Sequence, residues 1–205
     1  MVAWEISTEE AAKRLSVKAR IRSRYKRLRA AIPEDEHRRL GALVEERVLR
    51  EPALLAARTV YCYEAFGREV PTAAVVHALL ERGTRVIVPP ADRHAHPLSD
   101  AQELRAGPGY DPEQPAVSVG LGAGFDVRSV DVFVVPGIAW DLRGYRIGYG
   151  GGFFDRLLAA ARPDAVRIGL AFELQLTPSL PADDWDIPVD LIVTEERTIR
   201  VAWSR

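Results

Sequence analysis

Arg146 and Asp155 bracket a run of glycines, at 148, 150, 151 and 152, interrupted only by Tyr149. Those residue types at that spacing suit one kind of chemistry. Glycines let a backbone approach an anion, and exposed amides at the start of a helix bind it. An arginine can neutralise phosphate charge, and a carboxylate can hold Mg²⁺. Together they are what a nucleoside triphosphate requires. The run is neither a Walker loop, since no Gly-Lys-Ser/Thr follows, nor the dinucleotide fingerprint, since Phe153 stands where the last glycine belongs. From the glycines alone, a tight turn without ligand is an equal reading.

The elements around the run fit the phosphate reading. The apolar segment Val130 to Val135 reads as a buried strand, the chain turns polar at Asp141, Arg143 and Arg146, and Phe153 to Ala161 reads as a helix with Leu157 and Leu158 on one face. Upstream, residues 8 to 32 read as a long helix with an apolar stripe of Val17, Ile21, Tyr25, Leu28 and Ile32. Lys18, Arg22 and Arg29 line one flank of that stripe, and Arg20, Arg24 and Arg27 the other. Nine of the seventeen residues from Lys13 to Arg29 are Lys or Arg. Such a face suits solvent, a nucleic acid or a polyphosphate.

Between these two regions the chain alternates strand and helix. Pro33 ends the first helix, and Glu34-Asp35-Glu36 opens the next at its positive end. Arg58 to Tyr63 is a strand, residues 72 to 82 a helix and Arg85 to Pro89 a strand, a succession that favours parallel pairing. From Pro90 to about Arg128 the pattern dissolves into loops and short strands, and His94 and His96 read as solvent-exposed loop histidines. Val166 to Leu170, Leu191 to Glu195 and Ile199 to Trp203 are further strands. The fold class this implies is α/β, three layers with a mainly parallel sheet, preceded by the long basic N-terminal helix.

Composition bounds the rest. The chain has 205 residues, 47% of them hydrophobic, with a formal net charge of −1. One domain spanning residues 1–205 is the default. The near-neutral charge demands neither nucleic acid nor an anionic membrane. The one cysteine, Cys62, lies in the apolar run Thr59 to Tyr63 and reads as a buried strand thiol. With no targeting or transmembrane segment evident, a cytoplasmic protein is expected.

The stretch Val135-Pro-Gly-Ile-Ala-Trp-Asp141, followed by Gly144-Tyr-Arg-Ile-Gly-Tyr-Gly-Gly-Gly-Phe-Phe-Asp-Arg156, resembles the signature of the 5-formyltetrahydrofolate cyclo-ligase (5,10-methenyltetrahydrofolate synthetase) family. That signature reads Val-Pro-Gly-x-Ala-Phe-Asp, then Gly-x-Arg-Leu-Gly-x-Gly-Gly-Gly-Phe/Tyr-Tyr-Asp-Arg. The family's N-terminal Lys-x-x-x-Arg, with an arginine about seven residues on, is matched by Lys18, Arg22 and Arg29. Its terminal Phe-x-x-Gln and Asp-x-Pro-x-Asp-x-x-x-Thr-Glu segments are matched at Phe172 to Gln175 and Asp186 to Glu195.

The resemblance implies ATP-driven closure of 5-formyltetrahydrofolate to 5,10-methenyltetrahydrofolate. It implies Lys18 and Arg146 as catalytic cations, and an ATP site of Lys18, Arg22, Arg146, Gly148, Tyr149, Gly150, Gly151, Gly152, Phe153 and Asp155. Asp155 would also hold Mg²⁺. Glu69, in Glu69-Val-Pro-Thr72 where the family has Glu-Val-Asp-Thr, would anchor the folate pterin, and Trp140 would contact the folate. On its own, Glu69 is equally an ordinary carboxylate before a helix. The chain departs from the family at Phe154, where tyrosine is more usual, and through the middle region, where only Gly109 to Pro112 and Glu113 to Pro115 echo the pattern. Two other readings stay open: a paralogue that keeps the ATP site and takes another substrate, and a nucleic-acid binder using the basic helix. The net charge and the lack of interleaved aromatics weigh against the second. Partners are thus ATP and a small folate, without nucleic acid or membrane, and a monomer is favoured.

Overall fold

The computed structural model describes residues 8–89, 100–105, 117–121 and 125–202. In chain order the helices are α1 (Thr8–Ala30), α2 (Glu34–Val48), α3 (Pro52–Ala56), α4 (Ala73–Glu81) and α5 (Phe153–Ala159). The strands are β1 (Thr59–Cys62), β2 (Arg85–Val88), β3 (Gln102–Arg105), β4 (Val117–Gly120), β5 (Val132–Val135), β6 (Ala139–Asp141), β7 (Arg146–Ile147), β8 (Val166–Leu170), β9 (Leu176–Thr177), β10 (Leu191–Val193) and β11 (Thr198–Arg200). His94, His96 and the segments Gly109 to Pro112 and Glu113 to Pro115 lie outside the described residues, as does Trp203 at the end of the last expected strand.

The main sheet runs β11-β10-β8-β5-β1-β2-β3-β4. Its five middle strands, β10, β8, β5, β1 and β2, are parallel, and the outer ones are antiparallel. The reason is visible in the residues. Val60-Tyr61-Cys62, Val86-Ile87-Val88 and Val132 to Val135 are apolar at successive positions and buried on both sides, as strands must be when helices cover both faces. On one face Val60, Cys62, Val86, Val88, Val132 and Val134 meet Val44 and Val48 of α2, Leu54 of α3, and Val75 and Leu79 of α4. On the other, Tyr61, Ile87, Phe133 and Val135 meet Leu157 and Leu158 of α5. The result is the three-layer α/β architecture. Helix α4 has no cap of its own. The Glu45 carboxylate of α2 supplies one, accepting from the Ala74 amide at 2.8 Å, so the two helices on that face are locked together.

Two features position the site. The first is the strand order. Along β2-β1-β5-β8-β10 the chain runs one way from β1 to β2 and the other way from β5 onward, so the order reverses between β1 and β5. In open α/β sheets the crevice outside the carboxyl ends of strands at such a reversal is where ligands bind. The second is a three-stranded sheet, β7-β6-β9. Its hairpin turns at Gly144, whose φ of 84° and close approach to the Val189 carbonyl (2.5 Å from an added Cβ) admit only glycine. The turn is tied by Asp141, which is fully buried and accepts hydrogen bonds from the amides of Arg143, Tyr145 and Leu180 and from the Arg143 guanidinium.

Helix α1 lies against this small sheet, and its buried face is not the expected apolar stripe. Val17 and Leu28 are exposed at 39% and 42%. The inward positions are Lys18, Ile21, Arg22, Tyr25, Arg29 and Ile32, a face displaced toward the basic flank. That face meets a mixed surface: Ile21 and Tyr25 pack with Ile138, Ala139, Ile147 and Leu180, while Arg29 donates to the Gly137 carbonyl at 3.2 Å and Arg22 to the Gly148 carbonyl at 2.7 Å.

Candidate active site

A cavity of about 790 Å³ opens at the strand reversal. Its floor is the chain that leaves three parallel strands: Tyr63 to Phe66 after β1, Pro89 after β2, and Pro136 and Gly137 after β5. One wall is the glycine loop, Gly148 to Gly152, running into Phe153, Phe154 and Asp155 of α5. Lys18 and Arg22 of α1, Asp183, Trp185 and Asp186, and Glu69 complete its lining.

The glycine loop takes conformations that side chains resist. Gly150 has φ 108° and Gly152, at the N-cap of α5, has φ 63°. At its two ends stand Arg146 and Asp155, joined by a hydrogen-bonded ion pair of 2.8 Å. Arg146 is almost fully buried and also donates to the Ile187 carbonyl at 2.6 Å, and the same Asp155 oxygen accepts from the Ile187 amide at 3.1 Å. Burial lowers the Arg146 guanidinium pKa, an effect that the Asp155 charge opposes; an arginine remains a cation under such conditions.

Lys18 sits between two carboxylates, Asp183 at 2.6 Å and Asp186 at 2.7 Å. Burial pushes its pKa down, but the two hydrogen bonds and charges outweigh that effect and hold the ammonium above its ordinary value. Asp186 also accepts from the Asp183 amide at 2.8 Å. The lysine therefore ties α1 to a loop 165 residues further on. In the segment after β1, burial raises the Glu64 carboxyl above its usual range. Glu69 is buried, and one of its oxygens accepts from the Phe66 amide at 2.9 Å.

Lys18, Arg22, Glu69, Arg146, Gly148 to Gly152, Phe153 and Asp155 thus all line this one cavity. Trp140, expected to contact the folate, is not among the residues lining it. It is fully buried in the core, where an added Cβ on Gly137 would come within 2.5 Å of its ring and one on Gly169 within 2.4 Å. The two glycines make room for the indole, and β6 turns it away from the cavity. Arg29 is likewise drawn into the wall, holding the Gly137 carbonyl and the Tyr149 hydroxyl. Sequence reasoning missed Asp183, Trp185 and Phe66 among the lining residues. The available signal was weak: the motif-matched Asp-x-Pro-x-Asp segment draws attention to Asp186 but not to its neighbours.

As for a metal, no group of three or more His, Cys, Asp or Glu side chains arranged to hold one occurs among the described residues. The donor set suits instead a Mg²⁺ that arrives with phosphates, because Mg²⁺ is commonly bound through one or two carboxylates plus substrate oxygens and water. Asp155 lines the cavity and its hydrogen bonds to Arg146 and Ile187 fall on the same oxygen.

An open α/β sheet with a cavity at its strand reversal, lined by a glycine loop and by charged residues of α1, defines an α/β protein with a polar cleft at the carboxyl ends of its strands. The chain belongs to the 5-formyltetrahydrofolate cyclo-ligase family, whose model matches residues 14–195, and is an enzyme of the ligase class. It is 32% identical over 179 residues to the 5-formyltetrahydrofolate cyclo-ligase of Escherichia coli K12, a match covering 82% of this chain and 95% of the relative. The NMR structure of Aquifex aeolicus 5,10-methenyltetrahydrofolate synthetase superposes with a TM-score of 0.71 at 28% identity, covering 92% of this chain and 95% of that one. A Mycoplasma pneumoniae 5,10-methenyltetrahydrofolate synthetase shares the fold, with a TM-score of 0.68 at 22% identity over 87% of this chain and 99% of that one.

Proposed function

We propose that the protein is a cytoplasmic, single-domain monomer that uses ATP and Mg²⁺ to close 5-formyltetrahydrofolate to 5,10-methenyltetrahydrofolate, releasing ADP and phosphate. One observation supports the reading beyond the family likeness: a single cavity is lined both by Lys18, Arg22 and the glycine loop and by the buried carboxylate of Glu69. A triphosphate suits the first group. A pterin, whose amino and ring N–H groups are adjacent donors, suits the carboxylate.

The formyl oxygen is a poor leaving group, and phosphorylation makes it a good one. The oxygen attacks the γ-phosphorus and ADP departs. The N10 lone pair then attacks the activated carbon, N10 loses its proton, and the C–O bond breaks to release phosphate. No protein nucleophile is needed, so catalysis is positioning and charge neutralisation. Lys18 and Arg22 balance the phosphate charge, with Arg146 behind the loop. Loop amides from Gly148 to Gly152, with Tyr149 and Phe153, hold the phosphates. Asp155 holds Mg²⁺, which when bound supplies further neutralisation of the phosphate oxygens. Glu69 fixes the pterin.

The experiment is the appearance of methenyl absorbance from 5-formyltetrahydrofolate and MgATP, against a control without ATP, because acid alone closes the ring. ATP-dependent product is the expected result. MgATP binding without product from this folate would transfer the site to a paralogous substrate.

A further inference from the structure

Glu69 sits in a turn that closes on itself. Its amide donates to the Phe66 carbonyl at 3.3 Å, and its carboxylate accepts from the Phe66 amide at 2.9 Å. Two bonds to one residue fix the carboxylate within the turn, but not the turn within the protein. An outside anchor is His37, in the first turn of α2. Its ring is buried, and Nε2 lies 3.1 Å from the Glu69 carbonyl oxygen and 3.2 Å from that of Arg68. Both partners are acceptors, so Nε2 carries a proton and donates to the two. The following carbonyl, of Val70, accepts from the Tyr63 hydroxyl at 2.7 Å.

The imidazole is itself held from behind. The Phe172 ring meets it edge-on, with centroids 5.1 Å apart and an interplanar angle of 67°. Phe172 is fully buried, and its amide donates to the Gln175 side-chain oxygen at 2.9 Å. The Gln175 side-chain nitrogen donates to the carbonyls of Gly137 and Ile138 at 2.9 and 3.0 Å. The Phe-x-x-Gln segment, which has no part in the proposed chemistry, thus backs the ring that grips Glu69.

We propose that His37 is a positioning residue for the folate: by holding the backbone on both sides of the Glu69 Cα, it sets the direction from which the carboxylate meets the pterin. This rests on the reading above, in which Glu69 binds the pterin. The Arg68 carbonyl belongs to the peptide plane before that Cα and the Glu69 carbonyl to the plane after it. Peptide units are planar and stiff, so one nitrogen that pins both planes fixes φ and ψ of Glu69, and with them the line of its Cα–Cβ bond. His37 does not line the cavity; it acts through Glu69. Removing the donor leaves two carbonyls short of a partner, and the backbone turns to recover one.

The test is the affinity for 5-formyltetrahydrofolate and, separately, for MgADP, each by calorimetry. It compares the full chain with His37→Leu, which has no donor, and His37→Gln, whose amide can still donate. His37→Leu is expected to weaken folate binding about tenfold and MgADP binding less than about twofold. His37→Gln is expected to regain most of the loss. In a Glu69→Ala background, His37→Leu is expected to change folate affinity less than about twofold, because the carboxylate it positions is gone. A general packing role would weaken both ligands alike and persist in that background. Either of those results, an unchanged folate affinity in His37→Leu, or a His37→Gln that binds folate as weakly as His37→Leu, overturns the positioning role and leaves the proposed function standing. A parent that binds no 5-formyltetrahydrofolate, or a Glu69→Ala that binds it as tightly as the parent, overturns the pterin assignment as well.

Discussion

Asp155 lies 2.8 Å from Arg146, nine residues earlier, and the pair fastens the two ends of the glycine loop together. Arg146 is the more deeply buried partner, so the carboxylate has two separable tasks: it keeps a buried cation neutralised, and it faces the cavity. Asp155→Ala leaves the guanidinium unpaired and is expected to cost about 3 kcal/mol in urea unfolding. Asp155→Asn keeps an acceptor for Arg146 and Ile187 and is expected to cost less than half of that. If Asp155 holds Mg²⁺, both variants lose ATP-dependent turnover by more than about a hundredfold. Full turnover in Asp155→Asn would remove the metal assignment.

The Lys18 ion pairs give an alkaline signature. The folded-state pKa lies above the ordinary lysine value of 10.5. Protonated Lys18 therefore favours the folded state; its contribution is fully present below the unfolded value and is lost as pH rises through the folded one. The difference in urea midpoint between the parent and Lys18→Met should be level from neutral pH to pH about 9.5 and shrink above pH about 10.5. A difference that disappears already near pH 8 would exclude this pairing as its source.

Trp140 should matter to stability and not to folate. Gly169→Ala drives a Cβ to 2.4 Å from the indole and is expected to destabilise by about 1–3 kcal/mol. Trp140→Phe shortens the ring and should recover part of that loss in the double variant, a non-additivity expected of residues in contact. The indole nitrogen has no hydrogen-bond partner among the described residues, so Trp140→Phe on its own is expected to cost only packing, about 1–2 kcal/mol. A large rise in KM for the folate with stability unchanged would restore the residue to the substrate site.

Gly150, with φ at 108°, lies against the Arg22 guanidinium, 3.4 Å from where a Cβ would stand. Alanine there adds about 1–2 kcal/mol of backbone strain and crowds the cation. Gly150→Ala is expected to weaken MgADP binding about tenfold by calorimetry without folate present. Unaltered MgADP affinity would mean that the loop does not cradle phosphates.

What the sequence determined by itself were the features that local chemistry dictates. Val132 to Val135, Val60 to Cys62 and Val86 to Val88 are apolar without alternation, which is enough to mark them as central strands of a covered parallel sheet. The glycines at 148 to 152, with Arg146 and Asp155 at their ends, mark a loop of unusual backbone freedom beside charge, and that loop lines the cavity. The tertiary structure decided what depends on partners distant in the chain. Helix α1 turns its basic flank inward beside Ile21 and Tyr25 because the surface it meets also carries the carbonyls of Gly137 and Gly148 and the carboxylates of Asp183 and Asp186, to which Arg29, Arg22 and Lys18 donate. Trp140 sits inside the core because two glycines, one of them 29 residues away on β8, leave a slot the size of an indole. Periodicity reports which face of an element is apolar; it carries no information on whether the surface awaiting that element is apolar too.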